Sequence, residues 1–225
     1  GLGHTVDNLT VAVAGSGGAG LFNQVAGAVR DIGVKGGSIS AYSGMAGGLV
    51  ANSTGTLRNV YATDAVNARN FAGGLAGYSQ GSITNAFATG NVVTPAASGY
   101  YVGGLVALDY GQIDNAFATG SVSGYSQIGG LVGWQEGGAI DNAYATGSAI
   151  GSFYTAGLVG YNDYGAISNA YATGYVNPGS PYSSNGAFVG EDVSGTYANV
   201  YYNSDTGGRS DAFATPKSTS FTWPE

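Results

Sequence analysis

The sequence predicts an all-β protein, a right-handed parallel β-helix (β-solenoid) of about eight coils of roughly 23–30 residues each. Three observations carry this prediction. The stretch Ser82-Ile83-Thr84-Asn85-Ala86-Phe87-Ala88-Thr89-Gly90 returns at Gln112–Gly120, Ala139–Gly147 and Ala166–Gly174, and in looser form at Thr56–Asp64. Each copy follows a Gly-Gly-Leu-Val-like tetrad: Gly47–Val50, Gly73–Ala76, Gly103–Val106, Gly129–Val132 and Ala156–Val159. No window carries a useful apolar stripe at i, i+3, i+4, i+7, whereas short β-branched and aromatic runs alternate with Gly, Asn and Ser. A unit of about 27 residues holding two or three short strands cannot bury a face alone, and stacking copies solves this. A β-propeller blade of about 40 residues and the Leu-x-x-Leu-x-Leu frame of leucine-rich repeats both fail to fit.

In chain order, the Asn of each copy locates the degenerate ones. Val6-Asp7-Asn8-Leu9-Thr10-Val11 aligns with Ile83–Ala88, and Val29-Arg30-Asp31-Ile32-Gly33-Val34 follows with Asp in place of Asn. Gly20-Leu21-Phe22 stands for the tetrad between them. The marker thus falls at Asn8, Asp31, Asn59, Asn85, Asn115, Asn142, Asn169 and Asn199, at intervals of 23, 28, 26, 30, 27, 27 and 30 residues. Variable length inside a repeat maps to loops. Side chains of a strand alternate faces. The positions of Ala86 and Ala88 carry Leu9 with Val11 and Ile32 with Val34 in the end copies, so the Ala-x-Ala phase points into a narrow core and the aromatic phase outward. Ile83, Ile113, Ile140 and Ile167 form a second expected core ladder, and Leu49, Leu75, Leu105, Leu131 and Leu158 a third. The repeat domain is expected over residues 1–203, with 204–225 a C-terminal cap or linker. The start Gly1-Leu2-Gly3, without Met, reads as excised from a longer chain.

Composition narrows function. Charged residues are 8% and the net charge is −7, which gives no attraction to nucleic acid or anionic lipid. No apolar run approaches a transmembrane span. There is no cysteine and a single histidine, His4, so neither a Ser-His-Asp nor a Cys-His constellation is available. Gly15–Gly20 matches G-x-G-x-x-G but lacks the following amphipathic helix, and reads as a turn. No Asp-rich calcium nonapeptide or EF-hand frame appears, so no cofactor and no metal-ligating residue is assigned, and a calcium ion between coils stays open.

Gly129-Gly130-Leu131-Val132-Gly133, followed by Ala139-Ile140-Asp141-Asn142-Ala143-Tyr144-Ala145-Thr146-Gly147, resembles the GLUG repeat of large bacterial exported proteins. The opening Gly3–Val11 and the exit Asn199–Asn203 look like the lead-in and end of such arrays, so the resemblance covers about residues 3–206. It implies a β-solenoid segment of a large exported adhesin, filamentous-haemagglutinin-like or of the biofilm-matrix type. It also implies a secreted or bacterial-surface location and neighbouring domains of a longer chain. Some surface proteases share the repeat but carry their zinc motif elsewhere, and no His-Glu-x-x-His is present here. The motif is structural and transfers no functional residue.

The candidate binding residues come from the ladders. Tyr61, Phe87, Phe117, Tyr144, Tyr171 and Tyr201 share one position, with Thr63, Thr89, Thr119, Thr146 and Thr173 two residues on. Ring faces in a row suit sugar rings or apolar partner surfaces, with hydroxyls bonding alongside; the alternative is edge-on rings that pack against their ladder neighbours and under the long loops. Two longer insertions, Thr94–Tyr101 with Tyr100 and Tyr101, and Asn177–Ser184 with Tyr182, read as projecting loops. Asp109, Asp114, Asp141 and Asp163 fall in neighbouring coils, so a polysaccharide-cleaving pair is one alternative, and a regular Thr array raises ice binding. The expectation is a non-enzymatic adhesin segment whose partner is a glycan, matrix exopolysaccharide or cell-surface receptor. The main alternative is a purely structural stalk.

Overall fold

The computed structural model describes residues 3–95, 97, 99–179 and 184–218. It is all-β, and no helix occurs among the described residues. Every strand pairing within it is parallel and joins consecutive coils, giving a β-solenoid with three sheets. A 14-stranded sheet wraps one corner, and sheets of five and seven strands complete the cross-section.

Each coil repeats one path. The strand Ser82–Ala88 holds Ile83, Ala86 and Ala88 inside and Phe87 on the outer face. Asn85 lies between, at φ 52°, and turns the chain within the strand. Asn tolerates the left-handed region better than any other residue with a side chain except Asp, which explains the marker: Asp31, Asn59, Asn85, Asn115, Asn142, Asn169 and Asn199 all have φ between 48° and 59°. The second arm of the large sheet follows (Val92–Val93 here), then the five-stranded sheet, then the Gly-Gly-Leu-Val tetrad and the seven-stranded sheet.

The two expected apolar ladders are fully inside, with Ile83, Ile113, Ile140 and Ile167 and Leu49, Leu75, Leu105, Leu131 and Leu158 at most 1% exposed. Burying one such side chain contributes roughly 1.5–3 kcal/mol. A sixth core tetrad, Gly186-Ala187-Phe188-Val189, was hidden by its Ala and Phe, and Phe188 is the largest fully buried side chain.

The turn count differs from expectation. The chain makes about seven turns, as the seven-stranded sheet shows, because the first strand does not stack in the register that its Asn suggests. In His4–Val13, Val6 pairs with Val34, Leu9 with Gly37 and Val11 with Ile39, so Leu9 does not stand beside Ile32. The Asn8-to-Asp31 interval of 23 is five short of the next, and the 28-residue offset of the pairing Val6↔Val34 restores the usual coil length. Asn8 therefore meets the Gly36 corner, where its φ of 56° is matched by 67° at Gly36. His4–Val13 closes over the first full coil as a partial one.

At the other end, Thr215–Lys217 pairs with Thr196–Asn203, and Asp211 closes the tetrad ladder. Within the rod, the N–H groups of Leu131 and Val132 both donate to the Leu158 carbonyl, at 2.9 and 3.0 Å. Those of Leu158 and Val159 both donate to the Phe188 carbonyl. Phe188 and Val189 have no further coil, and both donate to Asp211 Oδ2 at 2.8 Å. One carboxylate oxygen thus replaces the missing carbonyl.

Candidate functional site

The outer aromatic position forms a continuous column. Tyr61–Phe87, Phe87–Phe117, Phe117–Tyr144 and Tyr144–Tyr171 have ring centroids 4.8–5.0 Å apart and planes within 2–4° of parallel. The rung spacing of a β-sheet is also the spacing of stacked rings, so registry alone produces the stack. Tyr61 lies over Gly33, where a Cβ would come within 2.0 Å of the ring, and Lys217 Nζ sits 5.3 Å from the Tyr201 ring centroid.

Beside the rings runs an amide ladder. Asn59 Nδ2 donates to Asp31 Oδ1 (2.8 Å), Asn85 to Asn59 (3.0 Å), Asn115 to Asn85 (2.6 Å) and Asn199 to Asn169 (3.1 Å). The ladder breaks at two successive rungs, Asn115–Asn142 and Asn142–Asn169. Asn142 Nδ2 donates to Asp114 Oδ1 and Asp141 Oδ2, at 3.1 and 3.0 Å, instead of to Asn115. Asp114 and Asp141 are register neighbours, and Asp141 Oδ1 also accepts from Ser168 and Asn169. The Ser168 hydrogen bond, with help from Asn169, holds the Asp141 carboxyl below the usual range.

Between amides and rings lies an open groove of about 730 Å³, lined from Asn85 to Asn199 by the Asn column and from Phe87 to Tyr201 by the rings. The structure therefore brings together six of the predicted residues: Tyr61, Phe87, Phe117, Tyr144, Tyr171 and Tyr201 form the column, half-buried throughout. The ring faces expected to receive sugars are covered by neighbouring rings, and their edges are what the groove presents. Burial pushes the Tyr171 hydroxyl up to about 12. Thr89, Thr119 and Thr146 are exposed next to the column, and Thr173 is half-buried, its carbonyl accepting from Thr206.

The insertion tyrosines go elsewhere. Tyr100 is 41% exposed and meets Tyr125 edge-on. Tyr101 does not project. It stacks between Phe71 (4.8 Å) and Trp134 (5.3 Å) as part of a second aromatic cluster extended by Tyr161. Tyr182 lies outside the described residues.

Comparison with known proteins fits this repeat geometry. Residues 72–93, 98–123, 124–150 and 151–177 match the family model described as the GLUG motif. The four matched segments are successive coils of the rod. The matched stretches contain the rings Phe87, Phe117, Tyr144 and Tyr171 and the amides Asn85, Asn115, Asn142 and Asn169. A crystal structure of a putative immunoglobulin A1 protease from Bacteroides ovatus is similar in fold, with a TM-score of 0.59 and 21% identity over 96% of this chain and 67% of that one. No curated protein sequence matches the chain. Outside the four matched segments, Thr56–Ala62 and Thr196–Asn203 continue the same strand ladder with the same Asn turn.

Sequence reasoning missed the polar residues inside the rod. Four residues after each tetrad Leu or Phe stand Ser53, Ser79, Asp109, Gln135, Asn162 and Asp192, paired rung to rung. Asp109, grouped with the surface carboxylates on sequence, is fully buried, as are Gln135 and Asn162. Burial pushes its carboxyl up to about 7 against the opposing pull of Ser79, the Gly111 amide and Gln135. The fixed offset was the available signal.

Asp64 is a second buried carboxylate, standing where the following coils have Gly90, Gly120, Gly147 and Gly174. Neither of its oxygens has a hydrogen-bond partner, and burial pushes it up to about 6 from 3.8. A raised carboxyl binds its proton more tightly in the folded state, so its contribution is most favourable below the unfolded value and is lost as pH rises through the folded one. Relative to wild type, Asp64→Asn is therefore expected to gain up to about 2 kcal/mol between pH 4 and pH 7. Urea unfolding at the two pH values measures this, and parallel pH profiles would put the carboxylate in water.

Proposed function

We propose that this chain is a non-enzymatic binding segment of an exported bacterial surface protein, a stiff rod that holds a glycan or matrix polymer in its groove. The observation that carries the reading is the open groove along the rod, with Asn amides on one wall and aromatic edges on the other. Its polar break at Asn115 and Asn142 gives the groove a centre, because the side-chain oxygens of both lack the amide donor that Asp31, Asn59, Asn85 and Asn169 receive. Amides and half-buried rings together suit a polymer of hydroxyls and C–H faces. The exported setting rests on the resemblance of the repeat to those of large exported proteins, and the net charge of −7 disfavours polyanion partners.

Catalysis finds less support. Asp114 and Asp141 are adjacent, but their carboxylates accept from Asn142, Ser168 and Asn169 and so are engaged in the amide ladder. The single histidine, His4, is exposed on the partial first coil. The fold neighbour described as a putative immunoglobulin A1 protease does not alter this, since a likeness at 21% identity carries the fold alone.

A glycan array with the purified chain tests the reading. Asn115→Gly and Asn142→Gly remove groove amides while keeping a residue at ease with positive φ, so folding is retained. The double variant is expected to lose at least about tenfold in affinity for the captured glycan, the loss of one or two neutral hydrogen bonds. A specific observation favours the stalk as the second reading: the ring faces are all engaged with one another. No capture by wild type would select it.

A further inference from the structure

We propose that the polar column inside the rod is a binding site for a hard metal cation of calcium or sodium size, centred on Asp109. Asp109 is 0% exposed, and neither of its oxygens has a hydrogen bond of good geometry. On one neighbouring rung the Ser79 hydroxyl, and on the other Gln135 Oε1, are likewise buried and unpartnered. One rung further, Asn162 Oδ1 is the same.

The amide orientations are dictated by their partners. Gln135 Nε2 donates to the Gly137 carbonyl at 2.6 Å, and Asn162 Nδ2 donates to the Gly165 carbonyl, Asp192 Oδ1 and the Tyr197 hydroxyl oxygen at 3.2, 3.0 and 2.8 Å. Flipping either amide would set its oxygen against a carbonyl, so both amide oxygens remain the atoms left over. The column is therefore a run of buried oxygens around one carboxylate.

Its counter-charge does not come from the protein. The six cationic side chains are Arg30, Lys35, Arg58, Arg69, Arg209 and Lys217, and none is buried. An isolated buried carboxylate costs several kcal/mol unless it is neutralised. A proton would provide one donor, whereas a cation satisfies several oxygens together. Geometry favours the cation. Coils rise by 4.8–5.0 Å, as the stacked rings record, so an ion midway between rungs lies about 2.4–2.5 Å from oxygens above and below. That is the Ca²⁺–oxygen range, while Mg²⁺ requires about 2.0–2.1 Å and near-octahedral order. The site would be structural, tying together the coils that carry the groove.

The test uses the whole chain, stripped with chelator and returned to metal-free buffer, with thermal unfolding followed on adding Ca²⁺, Na⁺ or Mg²⁺ separately. Ca²⁺ or Na⁺ at about a hundredfold over its Kd is expected to raise Tm by several degrees, and Mg²⁺ to do much less. Terbium luminescence sensitised by Trp134, next to Gln135, reports occupancy independently of stability. Asp109→Asn is expected to abolish both responses, and Asp114→Asn with Asp141→Asn, on the surface, to keep them. Should Asp109→Asn not fold, Gln135→Met, which removes one neutral oxygen, is expected to weaken both. An unchanged wild-type Tm with each cation, or a shift that survives Asp109→Asn, overturns the proposal and leaves a protonated Asp109.

Discussion

Gly130→Val is expected to prevent folding or to remove more than about 4 kcal/mol of stability, while Gly27→Ala stays within about 0.5 kcal/mol. A Cβ at Gly130 would lie 2.0 Å from the Gly157 carbonyl oxygen and 3.0 Å from the Ala145 Cβ. The atom in the way is backbone of the next coil, fixed by the hydrogen bonds Gly130 N to Ala156 O (3.1 Å) and Leu131 N to Leu158 O (2.9 Å). Relief requires the coils to separate, which breaks the ladder on both sides. Gly27 has nothing within 4 Å and no positive φ, so it isolates the effect of space from that of glycine itself. Urea unfolding of the two variants measures the difference, and a Gly130→Val protein as stable as wild type would contradict the stacking described above.

Asp211→Ala is expected to cost about 3 kcal/mol, the loss of two charge-assisted hydrogen bonds from the partly covered tetrad and of a third from the Phe213 amide on the exposed side. The damage is local. Phe188 and Val189 would keep their places in the core but lose the acceptor for both amides. Hydrogen exchange at these two amides is expected to accelerate, while Leu131 and Val132, which donate to Leu158, remain protected. Asp211→Asn keeps an acceptor oxygen and should fall between. Unaltered exchange at Phe188 and Val189 would show that the last coil is held by its apolar contacts alone.

Repetition made the architecture legible. The alternation Ile-x-Asn-Ala-Phe-Ala specifies inside, outside and turn in one strand, and the structure follows it from Leu57 through Val200. What escaped were departures that periodicity cannot express. The first strand slips by five residues because Asn8 satisfies a corner as well as it satisfies a strand turn. Asp109 looked like a surface residue because most carboxylates are; only its pairing with Ser79 and Gln135 places it within the rod. The groove was half visible. Sequence placed the rings in one column and left two readings, ring faces open to a ligand or rings packed on their ladder neighbours; rungs 4.8–5.0 Å apart give the second.

A ligand held in the groove between the Asn ladder and the ring edges is detected by aromatic NMR of the rod during titration with the glycan captured on the array. Resonances of Phe117 and Tyr144, which flank the break at Asn115 and Asn142, are expected to move together and saturate, while Tyr100 on its separate insertion stays still. Perturbation centred on Tyr100 and Tyr125, with Phe117 and Tyr144 unmoved, would contradict this expectation and assign binding to the insertions.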